Sequence, residues 1–147
     1  MEMVLEVILR VLLIGYYLMM AVFVIRQIRI RFLADEQYTL YANYANDQNR
    51  KRYGCQVNYY KALVRGTLVQ LGAILLGMAL IDYAWFTWMS IVAIVCTVLE
   101  PLFVMVSFPK LVDFKYRTWL LLYLKRLIGI VLDGYIIFAL AVVCFIY

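Results

Sequence analysis

Three ionisable side chains stand inside long apolar runs of the sequence: Arg10, Glu100 and Asp133. A charge at the centre of a bilayer costs about 2.5–3.5 kcal/mol on insertion scales, so such residues point to a contact or a transport path. Two carboxylates that face each other in a low dielectric cannot both ionise. Such a pair holds a proton or a cation, or ties two helices together by hydrogen bonds. The alternative is neutralisation by an arginine reaching up from the nearer interface, and Arg26 and Arg126 are the candidates. Arg10 has a closer partner in Glu6, one turn earlier on the same helix face and in the favourable acid-before-base order. Pro101 follows Glu100 directly. Lacking an N–H, it leaves the carbonyl of Thr97 without its helical donor and bends the axis. Freed carbonyls beside carboxylates are parts from which transporters build cation sites, and proline kinks also occur in purely structural spans.

Other chemistry is poorly provided for. The chain has no histidine, the commonest general base and metal ligand. Its cysteines, Cys55, Cys96 and Cys144, are far apart and form no CxxC pair, which argues against a redox motif or a zinc site. The only serines, Ser90 and Ser107, stand in no nucleophile setting. No enzymatic activity, metal or cofactor is expected.

These residues must be positioned by membrane helices. Of 147 residues, 67% are hydrophobic and 16% charged, a composition that excludes an ordinary globular domain and, despite a net charge of +5, a nucleic-acid-binding one. Runs of roughly 20 apolar residues can span a bilayer, and four occur, at about 3–25, 62–81, 84–108 and 127–147. The first has no small-residue cleavage site after it and is expected to be a retained helix. Only Asp82 and Tyr83 separate the second span from the third, which predicts a tight helical hairpin. At the rise of an α-helix, Arg10 lies about 9 Å below one surface, and Glu100 and Asp133 about 9 Å above the other.

Thirteen of the fourteen Lys and Arg residues fall at 26–65 and 110–126. The positive-inside rule then predicts an all-α integral membrane protein of four spans with both termini outside. Segments of about 26–61 and 109–126 would form basic cytosolic loops, in a bacterial inner membrane as the simplest setting. Tyr83, Trp85, Phe86 and Trp88 at one level, and Tyr53, Tyr59 and Tyr60 near the other, are read as interfacial aromatic belts.

The first loop carries further pattern. Residues 26–33 are expected to continue the first helix. Tyr38, Tyr41 and Tyr44 recur every three residues, and Tyr-Ala-Asn repeats at 41–43 and 44–46. At helical spacing these rings form a stripe that either packs against the membrane or docks a cytosolic partner. Arg50, Lys51 and Arg52 suit contact with anionic lipid headgroups, and Tyr53-Gly54 is a helix stop. The second loop is either an interfacial helix or the start of the fourth span, with a break at Pro109 in both cases. Ala73 and Gly77 give the small-xxx-small spacing that lets helices approach closely.

The functional expectation is a small accessory, assembly or regulatory subunit that binds the spans of a larger membrane complex of the transport, secretion or respiratory type. The alternative is a homo-oligomeric channel, holin-like pore or proton- or cation-linked carrier built on Glu100 and Asp133. The expected partners are the lipid bilayer and either a larger membrane complex or further copies of the chain.

Overall fold

Apolar runs of this length stop only where the backbone is given a reason to stop. The structure, a computed structural model, describes residues 2–107 and 115–146. Helix α1 runs over Glu2–Arg31, α2 over Asp35–Tyr53, α3 over Gln56–Leu80, α4 over Ala84–Ser107 and α5 over Lys115–Phe145. Helix α1 ends in a tightened turn, with the Phe32 and Leu33 N–H groups donating to the carbonyls of Arg29 and Ile30 at 3.3 Å each. Asp35 and Glu36 then open α2, where acidic side chains meet the positive end of the helix dipole. At Gly54 the chain turns through φ +64°, a conformation only glycine adopts without strain, and α2 ends at the expected stop. Residues 81–83 alone separate α3 from α4, closing the expected hairpin.

Helices α1, α3, α4 and α5 are each long and apolar enough to cross a bilayer, so the chain is an all-helical membrane protein; no strand occurs among the described residues. The helical boundaries run past the expected spans. Helix α3 begins six residues earlier than expected, and α2 makes the first basic segment a helix in its own right. Residues 115–126 belong to α5, which joins them to the fourth span and removes the separate interfacial helix. The break expected at Pro109 lies outside the described residues.

The core follows from one stripe per helix. Leu13, Tyr17, Ala21 and Val24 recur at helical spacing on α1, and Phe86, Ser90, Ala93 and Thr97 do so on α4. They close on α5, which packs against both of those helices and presents Ile128, Leu132, Tyr135, Ile136 and Ala139. Gly77 lies against α4 and α1: a Cβ there would stand in ordinary van der Waals contact, 3.6 Å from the Phe86 ring and 3.6 Å from the Tyr17 hydroxyl. The small-residue pair is therefore used inside the chain, with Ala73 half-buried against the same core. Phe86 is fully buried and belongs to this core, not to an aromatic belt; Trp88 remains exposed.

Candidate functional site

The polar groups gather at the end of the bundle next to α2. A helical side chain leaves its backbone tilted toward the helix N-terminus. On α1 that direction leads from Arg31 back into the bundle, and on α5 it leads from Asp133 toward α2, so the two side chains converge. The Arg31 Nε–H donates to Asp133 Oδ2 at 3.1 Å, with the two side chains 15% and 14% exposed. Arg31, not Arg26 or Arg126, is thus the neutralising arginine. Its guanidinium crosses α5 over Gly129, four residues before Asp133, where any Cβ would collide with it. Gly129 and Asp133 together make a seat: a notch in the backbone and an acceptor one turn on.

Arg126 is occupied elsewhere for the same geometric reason, since its side chain points away from Asp133 and toward the corner between α1 and α2. It donates to the carbonyls of Arg31 and Leu33, and to Asp35 Oδ1 at 2.9 Å. Its guanidinium lies 4.9 Å from the centroid of the Tyr38 ring, a cation–π contact. One side chain thereby caps the C-terminal carbonyls of α1 and holds the first turn of α2.

Glu100 borders two adjoining cavities. The larger, about 340 Å³, lies beneath α2 and is walled by Arg31, Tyr38, Asn49, Tyr59, Glu100 and Lys125 among others. The smaller, about 210 Å³, is walled by Met20, Phe23, Leu132 and Ile136 as well as Glu100 and Asp133. Gln27 and Arg31 also border both. The two carboxylates therefore border a common space, with Arg31 committed to one of them. Just above it, the Thr97 hydroxyl is buried with no hydrogen-bond partner, in the turn where Pro101 offers no N–H to the Thr97 carbonyl.

The remaining expected residues are dispersed. Arg10 sits half-buried on α1, far along the helix from the cavities. The tyrosine stripe splits: Tyr38 is buried at 5% exposure, Tyr41 is 41% exposed and Tyr44 is 62% exposed. Tyr38 is spent on Arg126 and the core, which leaves Tyr41 and Tyr44 as the surface of that stripe. Arg50, Lys51 and Arg52 close α2; Lys51 and Arg52 are exposed, and Arg52 stacks on Tyr53 at 5.7 Å. Sequence reasoning missed Arg31, Gly129 and Lys125 as members of the site. The available signal was Gly-x-x-x-Asp at 129–133, a gap and an acceptor on one face of a span.

Fold and site together define an all-helical membrane protein, with four helices long and apolar enough to cross a bilayer and a polar, cavity-bearing end. No protein-family model, curated protein or solved structure matches the chain.

Proposed function

We propose that the chain is a small accessory or assembly subunit that binds the spans of a larger membrane complex. The observation that carries this reading is the outer face of α1. Val4, Val7, Val11, Leu18, Val22 and Ile25 are all exposed, while the Asp133 carboxylate is consumed internally by Arg31. A subunit of an oligomeric pore needs a polar stripe on an outward face, and the outward face of α1 has none along these positions. An apolar face suits either lipid or the spans of a partner. The reading also takes both termini outside and the two basic segments in the cytosol of a bacterial inner membrane, by the positive-inside asymmetry.

A second reading, a homo-oligomeric channel, holin-like pore or proton- or cation-linked carrier, draws support from Glu100 and Asp133 bordering one cavity. Purification from the native membrane in mild detergent, with particle mass and composition determined by mass spectrometry, separates the two. A stoichiometric larger partner is expected. A homo-oligomer whose liposomes conduct, with a current altered by Glu100→Gln, would replace the first reading by the second.

A further inference from the structure

Lys125 and Glu100 both wall the cavity beneath α2, and among the described residues neither makes an ion pair. Opposite charges set into one space ordinarily close on each other, because a buried charge is costly until it is paired. Helix direction keeps these two apart. Side chains lean toward the N-terminus of their own helix. On α5 that lean carries Lys125 toward α2. On α4, which runs the other way, it carries Glu100 deeper into the bundle. An open cation thus stands on the α2 side of the space and an open anion farther in. Tyr41, 41% exposed, borders the same cavity, which places its rim at the surface.

The rest of the lining is matched in charge and rich in hydrogen-bonding groups. Arg31 and Asp133 are closed on each other at 3.1 Å. Asn49 and Tyr59 border the outer chamber, Gln70 the inner one and Gln27 both, with apolar side chains such as Met20 and Leu132 among them. One positive and one negative point are left unmatched, and that balance selects the ligand. A lone cation at Glu100 shares the chamber with Lys125, and a lone anion at Lys125 faces Glu100. A phosphate monoester carries nearly two negative charges against a single lysine. A molecule with one ammonium and one carboxylate meets both points, each through a charge-assisted hydrogen bond. At about 340 Å³ the outer cavity is small for a ligand pocket, a class that spans about 300–1,000 Å³. A third charge, on the ligand's side chain, would compete within the Arg31–Asp133 pair. We propose that the adjoining cavities bind one free α-amino acid with an uncharged side chain, its carboxylate toward Lys125, its ammonium toward Glu100 and its side chain in the inner chamber. The proposal goes beyond the partner reading and stands apart from it, because binding by the purified chain does not depend on a larger complex.

The test is isothermal titration calorimetry of the full-length chain in mild detergent with L-serine, L-glutamine and L-leucine in turn. At least one is expected to bind one per chain and tighter than about 1 mM, the upper end of the usual range for cellular small molecules. For the tightest of the three, the methyl ester removes the carboxylate charge and the N-acetyl derivative the ammonium. Each derivative is expected to bind at least tenfold more weakly, the scale of one charge-assisted hydrogen bond. L-Lysine and L-glutamate should also bind at least tenfold more weakly. Glu100→Gln and Lys125→Gln are each expected to lose about tenfold in affinity, and Lys125→Arg to keep most of it. Ala45→Trp fills the α2 wall of the outer chamber, removes no charge and is expected to abolish binding. Lys51→Gln, on the exposed face, should leave binding intact. Elution volume and helical circular dichroism report folding for each variant; should the charge variants misfold, the two derivatives decide on the wild-type chain. No binding by any of the three amino acids would show a cavity that holds only water and would overturn the proposal. Equal affinity for the ester or the N-acetyl derivative, equal affinity for L-lysine or L-glutamate, or binding that survives Ala45→Trp would overturn it as well.

Discussion

The two ends of this bundle are held together by different means. Toward the hairpin that joins α3 to α4, the interior is filled by rings: Phe86 lies 6.3 Å from Tyr135 and 6.4 Å from Phe138, and Trp85 lies 5.5 Å from Phe138. Shape and dispersion hold that end, and a deep polar pair there, Ser90 with Tyr135, is closed at 2.9 Å. Toward α2 the interior holds an ion pair, an arginine-capped corner and two cavities. Directional polar contacts hold this end, and they leave space. In lipid, where apolar burial between helices gains little over contact with acyl chains, packing quality and polar closure decide stability. The lesson is a division of labour: the ring-packed end fixes the fold through shape, and the polar end is held by directional contacts around open space.

The largest effect should come from opening the packed end. Phe86→Ala removes a fully buried ring that lies beside Gly77 and three aromatic neighbours, and is expected to cost about 3–5 kcal/mol. Unfolding monitored by steric trapping or by titration with a denaturing detergent measures it. A cost below 1 kcal/mol would mean that the ring-packed end does not fix the fold.

Breaking the polar end is expected to cost slightly less, and in a different pattern. Asp133→Leu leaves the Arg31 guanidinium buried without its acceptor, at about 3 kcal/mol. The double substitution Arg31→Leu with Asp133→Leu should recover most of that loss, because replacing both partners by apolar groups removes the stranded charge. Additive losses in the two-site cycle would show that the pair is not coupled.

Much of the fold is legible in the sequence, because span length, the Tyr53-Gly54 stop and the two-residue hairpin are local signals. The site is only partly so. Glu100 and Asp133 declare themselves as charges in apolar runs, but their partner depends on which way each side chain leans and on which helices are neighbours. Arg26 lies nearer the expected depth, yet Arg31 reaches Asp133 because α1 side chains lean back into the bundle. The tyrosine stripe is divided by helix geometry as well. A spacing of three residues drifts about 60° per step on a helix, so Tyr38 and Tyr44 differ by about 120° and cannot share a face. Gly129 carries no signal by itself; only the guanidinium above it gives that glycine a purpose.

Two glycines on α5 sharpen the comparison at smaller scale. At Gly129 a Cβ meets the Arg31 guanidinium, whereas at Gly134 a Cβ meets nothing within 4 Å. Gly129→Ala must displace a side chain that Asp133 holds in place, and should destabilise by about 1–2 kcal/mol. Gly134→Ala should stabilise by about 0.5–1 kcal/mol through lower backbone entropy in the unfolded chain. Opposite shifts in thermal unfolding midpoint are the expected readout. If both variants are stabilised, the guanidinium is free to move and the seat on α5 is not a constraint.

The smallest effect lies in the buried hydroxyl pair of the packed end, Ser90 with Tyr135. Side-chain hydrogen bonds between membrane helices average about 0.6 kcal/mol. Tyr135→Phe should therefore cost about that much, with the ring contacts to Phe86 and Tyr17 retained. Ser90→Ala should cost a similar amount, since it strands the Tyr135 hydroxyl in place of its own. The double variant should cost no more than either single one, because both polar groups are then gone and neither is left unsatisfied. A double-variant loss equal to the sum would mean that the two hydroxyls act independently. Each hydroxyl would then be held by contacts of its own, and the contrast with the α2 end would be weaker.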